Sequence, residues 1–106
     1  MYPLDPPSVE FKTTDDGSIS FNPHLYKNGK VCLSILGTYP GPNWIPLMTL
    51  TTVALSIQSL LNEKPYLNGP GSTEALWSAD SIKKYNNFVQ HETIRVAVCN
   101  VLEDRY

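Results

Sequence analysis

Apolar positions fall into short alternating runs in the first third of the chain and into helical stripes in the last two thirds. Val9-Glu10-Phe11-Lys12-Thr13 and Ser18-Ile19-Ser20-Phe21 alternate apolar with polar, the period of a half-buried strand. Asp15-Asp16-Gly17 between them is a turn signal. Asn28-Gly29 is a second, because glycine reaches positive φ without steric cost. Val31 to Leu36 is a brief apolar run, and periodicity does not decide between strand and irregular core there. Pro3, Pro6 and Pro7 make residues 1–8 extended or turn-like. Gly37 to Pro46 is a loop, and its Trp44 is expected to fold back onto the core, where a large ring gains most by burial.

From Thr49 to Leu61 the period changes to that of a helix. Leu50, Val53, Ala54, Ile57, Leu60 and Leu61 share one face, and Thr49 is a fitting N-cap. Pro65, Gly69, Pro70 and Gly71 break the pattern. A second helical region runs from a cap at Asp80 towards Leu102. Its stripe of Ile82, Tyr85, Phe88 and Val89 shifts phase at His91-Glu92 before Ile94, Ala97, Val98 and Val101, so the segment bends or buries two faces. Residues 103–106 are polar and expected in solvent. Strands followed by helices predict an α+β domain spanning 1–106, although two short strands make a weak sheet.

Composition narrows the function classes. The chain has 106 residues, enough for one modest core. Eight basic against ten acidic side chains, with no basic run, argue against nucleic acid as a partner. The apolar runs are too short to span a bilayer, and residues 1–20 do not form a secretory signal. Two cysteines, Cys32 and Cys99, offer neither a disulfide framework nor a metal site. No cofactor is indicated, and a reducing compartment, cytosol or nucleus, is expected.

The run Phe21-Asn22-Pro23-His24-Leu25-Tyr26-Lys27-Asn28-Gly29-Lys30-Val31-Cys32-Leu33-Ser34-Ile35-Leu36 carries the candidate chemistry. Two further blocks are Tyr2-Pro3-Leu4-Asp5-Pro6-Pro7-Ser8-Val9-Glu10-Phe11, and Trp44-Ile45-Pro46-Leu47-Met48-Thr49 leading into Val53-Ala54-Leu55-Ser56-Ile57-Gln58-Ser59-Leu60-Leu61. In this order they resemble ubiquitin-conjugating enzymes, and the Asn-Pro start of the first run and His91-Glu92-Thr93-Ile94-Arg95-Val96-Ala97-Val98 resemble the Z type of that family. The resemblance implies a partial ubiquitin-conjugating fold, a short antiparallel sheet followed by helices. Met1 stands directly before the Tyr-Pro signature, so the expectation is a domain without the family's usual N-terminal helix and first strands. In the family that helix is the main docking surface for the activating enzyme.

The resemblance also implies an activity. Cys32 would accept ubiquitin or a ubiquitin-like modifier as a thioester from an activating enzyme and pass it to a substrate lysine, with a ligase as third partner. A thiolate suits this, since it both attacks and leaves well. On its residues alone, Cys32 fits a buried structural thiol equally well. His24 stands where the family usually has an Asn thought to support the active-site loop and the oxyanion. The expectation is that an imidazole only partly replaces that amide, so that aminolysis is slowed while loading survives. Asn22, Pro23, Asn28 and Gly29 would shape the active-site loop. Leu4, Pro46 and Leu47 occupy the positions of two loops that face ligases, though Pro46 and Leu47 fit local packing equally well.

Other assignments stay open. Cys99 reads as helix packing and His91 as an ordinary helix residue. The acidic residue that assists lysine attack in the family is not assignable, and neither Glu74 nor Asp80 matches it well. The second function considered is a catalytically impaired interaction protein that binds ubiquitin or a ligase without transfer. The third is a small cysteine hydrolase using Cys32 with His24 or His91, for which no local signature exists.

Overall fold

The computed structural model describes residues 1–68 and 77–103. Its regular elements are helical: a single turn at Ser34–Leu36, α1 at Leu50–Leu60, a tight turn of helix at Pro65–Asn68, α2 at Ala79–Glu92, and α3 at Thr93–Asn100. The antiparallel sheet expected from the alternating runs does not form as strands among the described residues. In its place are isolated antiparallel bridges, Glu10 to Lys30, Asn22 to Leu25 and Leu25 to Val31. The reason lies in the turn between the runs. The Thr14 carbonyl accepts from Ser18 and Ile19, with Asp15, Asp16 and Gly17 all at positive φ. Those local bonds consume groups that a ladder would need. Residues 9–13 meet the 28–30 turn at Glu10 and Phe11, the Phe11 N–H donating to the Gly29 carbonyl at 2.8 Å.

Helix α1 begins as its sequence indicates. Thr49 Oγ1 accepts from the Thr52 N–H while Thr52 Oγ1 accepts from the Thr49 N–H, a reciprocal cap. Its stripe is less covered than the periodicity implies: Val53 is buried, whereas Leu50 and Leu61 are exposed. The described elements pack chiefly α2 against α3 and against the 65–68 turn, which leaves much of α1 uncovered. Helix α2 is capped by Ser78, whose hydroxyl accepts from the Ser81 N–H at 3.1 Å. Asp80, read as the cap, lies in the first turn and pairs with Lys84 at 3.0 Å.

The phase shift at His91-Glu92 has a structural cause. After Glu92 the helix widens to π geometry in α3, which rotates the buried side so that Val96 and Asn100 point inwards. Val96 is fully buried with Ile19 and Phe21, and Phe11 and Val89 pack around them. Arg95 ties this helix to the first turn. Its Nη2 donates to Asp15 at 2.9 Å and its Nε to Glu92 at 2.5 Å, and those two bonds, Asp15 first, favour the charged guanidinium.

Aromatic contacts join the remaining parts. Tyr66, Trp77 and Tyr85 form a row with centroid separations of 5.6 and 5.7 Å, linking the 65–68 turn to α2. Trp44 does not join the core. Its Nε1–H donates to the Pro3 carbonyl at 2.8 Å and its ring lies 6.1 Å from Tyr2, because a polar edge finds an acceptor in the proline-rich segment. Cys99 is exposed and so does not serve as packing.

Candidate active site

The segment from Asn22 to Cys32 folds as two consecutive turns that bring its ends together. In the first, the Leu25 N–H donates to the Asn22 carbonyl at 2.9 Å, with Pro23 at the position where a fixed φ favours the turn. The Ser20 hydroxyl reinforces it, lying 2.9 Å from the Asn22 carbonyl and 2.7 Å from that of Leu25. In the second, Gly29 N–H donates to Tyr26 and Tyr26 N–H to Lys30, both at 2.9 Å. Asn28 Oδ1 accepts from the Lys30 N–H at 3.0 Å.

Gly29 is required here for two reasons. Its φ is +91°, and a Cβ would stand 2.7 Å from Glu10 Cγ and 3.2 Å from the Phe11 carbonyl. The turns bury Leu25 and Val31 and return the chain to His24, whose carbonyl accepts from the Cys32 N–H at 2.8 Å. Beyond Cys32, Thr38 locks the exit. Its Oγ1 accepts from the Leu33 N–H at 2.9 Å and donates to the Val31 carbonyl at 2.6 Å.

Cys32 is therefore fixed on both sides, and only 4% of its surface is exposed. Tyr26 neighbours Cys32: hydrogen bonding to that side chain, then the charge of its thiolate form, then burial raise the phenol above its ordinary pKa. The Lys30 ammonium lies 5.4 Å from the centre of the Tyr26 ring.

Asn22 is fully buried and joins this segment to α1. Its Nδ2 donates to the Leu60 carbonyl at 2.8 Å and its Oδ1 accepts from the His24 N–H at 3.0 Å. Asn68 Nδ2 donates to the same Leu60 carbonyl at 2.9 Å. The His24 ring sits between, with Nδ1 2.6 Å from the Cys32 carbonyl and Nε2 2.5 Å from the Asn68 carbonyl. Both ring nitrogens thus lie within hydrogen-bond distance of a backbone carbonyl.

Asn22, Pro23, His24, Asn28, Gly29 and Cys32 thus share one compact unit. Leu4 and Leu47 lie on the surface, 74% and 88% exposed, as does Pro46. Their two loops are joined through Trp44 and Pro3. Glu74 falls outside the described residues, whereas Asp80 is engaged with Lys84 on α2. His91 is exposed beside Glu92. Tyr26, Thr38 and Asn68 were not singled out by the sequence: a tyrosine, a threonine and an asparagine in loops carry no signal without their partners. Among the described residues no cluster of metal-ligating side chains occurs, and no helix is long and apolar enough to cross a membrane.

A family model described as ubiquitin-conjugating enzyme matches residues 1–93. Ubiquitin-conjugating enzyme E2 Z of Xenopus tropicalis is 54% identical over 104 residues, covering 98% of this chain and 33% of that protein. Its Homo sapiens counterpart is 51% identical, with 98% and 29% covered. Probable ubiquitin-conjugating enzyme protein 17 of Caenorhabditis elegans is 43% identical over 105 residues, with 92% and 14% covered. The chain thus spans at most about a third of the length of these relatives. Matched along nearly its whole length, the chain belongs to the ubiquitin-conjugating enzyme family.

Proposed function

We propose that this chain carries ubiquitin or a ubiquitin-like modifier as a thioester on Cys32 and transfers it to a substrate lysine. The observation that carries the reading is a thiol whose own N–H and whose neighbour's N–H are both held by hydrogen bonds, in a member of this family.

In loading, the Cys32 thiolate attacks the thioester carbonyl that links the modifier's C-terminus to an activating enzyme. A new S–C bond forms, the old one breaks, and the activating enzyme's thiol leaves. ATP is consumed earlier, in forming that first thioester. In discharge, a lysine amine attacks the Cys32 thioester, loses a proton, and expels Cys32 as thiolate while the isopeptide bond forms. Tyr26, which neighbours the thiol, is the side chain that would donate to sulfur as negative charge collects there.

The exposed Leu4, Pro46 and Leu47 form the face offered to a ligase, their two loops held in one arrangement by the Trp44–Pro3 bond. Two free cysteines suit a cytosolic or nuclear protein. Nothing in the chemistry of the site calls for a cofactor. The test is ATP-dependent charging by an activating enzyme, with Cys32→Ala as control. A reductant-sensitive adduct lost in the variant supports the proposal, and a folded chain that forms none overturns it.

A further inference from the structure

A sulfur that must meet a carbonyl carbon along one approach needs a fixed backbone beneath it. In extended chain the N–H groups of successive residues face opposite edges. At one edge the Cys32 N–H donates to the His24 carbonyl at 2.8 Å. At the other stand the Val31 carbonyl and the Leu33 N–H, where a neighbouring strand would ordinarily bind. Leu33 is extended, with φ −137° and ψ 138°, yet no strand forms beside it among the described residues.

Thr38 takes the place of that strand. Its Oγ1 donates to the Val31 carbonyl at 2.6 Å and accepts from the Leu33 N–H at 2.9 Å. A hydroxyl carries one proton and two lone pairs, so one atom serves an acceptor and a donor at once. The Thr38 N–H adds a bond to the Leu33 carbonyl at 3.2 Å. The turn between them brings the chain back. Leu36 N–H donates to Leu33 and Gly37 N–H to Ser34, both at 3.0 Å, and Gly37 reverses direction at φ +73°. The next residue braces the first edge, the Tyr39 ring lying 4.6 Å from that of His24.

We infer that Thr38 is a positioning residue for the Cys32 thioester. Its hydroxyl clamps the residues before and after the thiol and so fixes the line along which sulfur is attacked and leaves. This rests on the transfer reading above and adds to it a residue outside the three family blocks, which end at Leu36 and resume at Trp44. The clamp engages the Leu33 N–H, and His24 engages that of Cys32, so neither backbone group is left to receive an oxyanion. Thr38 therefore acts through geometry, and its effect is independent of pH.

Valine has nearly the shape of threonine without its donor and acceptor, whereas serine keeps both. The test is single-turnover discharge of preloaded Cys32 to free lysine, over a range of lysine concentrations, in full-length wild type, T38V and T38S. Only chains that have loaded enter the measurement, so a lower folded fraction alone does not change the rate. The maximal rate should fall about tenfold in T38V at every pH from 6 to 9, with the half-saturating lysine concentration unchanged. T38S should stay within about threefold of wild type. A T38V rate equal to wild type, or T38S as slow as T38V, overturns the positioning role. Backbone amide exchange on the wild-type chain covers the case in which T38V does not fold. A Leu33 amide protected about tenfold or more over free peptide supports the clamp, and an unprotected one overturns it. Should wild type form no thioester, the transfer reading fails, and the exchange still decides the clamp.

Discussion

Replacing Asn22 by alanine removes the side chain that binds the active-site turns to the end of α1. Asn22 is fully buried and uses both ends of its amide. The Leu60 carbonyl keeps a donor after the change, since Asn68 also reaches it. The His24 N–H does not, because Asn22 Oδ1 is the acceptor shown for it. The loss is then two ordinary hydrogen bonds, each about 1 kcal/mol net, plus about 1–2 kcal/mol for a backbone donor left without a partner. A total near 3 kcal/mol is a large share of the roughly 5–15 kcal/mol of a small domain. Urea unfolding measures it: with a slope of about 1.5 kcal/mol/M the midpoint should fall by about 2 M, the slope being unchanged. Asn22→Asp keeps an acceptor for the His24 N–H but sets an anionic oxygen against the Leu60 carbonyl, so it should not rescue. A loss below about 0.5 kcal/mol for the alanine variant, the range of ordinary surface changes, would refute the argument that this amide is the knot of the site.

Two further outcomes follow from the same geometry. Gly29→Ala forces a Cβ into a left-handed backbone and to within 2.7 Å of Glu10 Cγ, so it should cost about 1–3 kcal/mol and lower charging in proportion to the unfolded fraction. Spectroscopic titration of tyrosine should show two phenols ionising above the ordinary value of about 10, Tyr85 through its burial and Tyr26 through its neighbour Cys32. Because the bond to Cys32 is the first cause of the Tyr26 rise, Cys32→Ala should bring it down, and an unmoved curve would remove Tyr26 from the thiol. Since the phenol ionises only at alkaline pH, Tyr26→Phe should slow lysine discharge several-fold at every pH from 6 to 9 without a new inflection, about the effect of losing one hydrogen bond to the leaving sulfur.

Features set by one residue or a local repeat were legible in the sequence. Asn28-Gly29 was readable because a single glycine must take positive φ, and Thr49 because a cap is decided within four residues. Asp15-Asp16-Gly17 announced its turn in the same way. Features that depend on distant partners were not readable. Alternation in residues 9–13 and 18–21 says which side chains face inwards, not whether a neighbouring strand exists to complete a ladder. Ser78 and Asp80 are both good caps by type, and only backbone geometry chooses between them. The phase shift at His91-Glu92 was visible, whereas its resolution as a widened helix over Thr93–Asn100 was not. At the candidate site, the motif is what singles out Cys32. The use of both His24 nitrogens depended on Asn68, forty-four positions away, and on Tyr39.

The central claim is that Cys32 is a thioester acceptor, and charging tests it most directly. The chain is incubated with activating enzyme, ATP and ubiquitin and run on non-reducing gels, with Cys32→Ala and an ATP-free reaction alongside. The account predicts one adduct that requires Cys32 and ATP and disappears on reduction. A well-folded chain that forms no adduct with ubiquitin or with any ubiquitin-like modifier and its activating enzyme, or one whose adduct persists in Cys32→Ala, would contradict it.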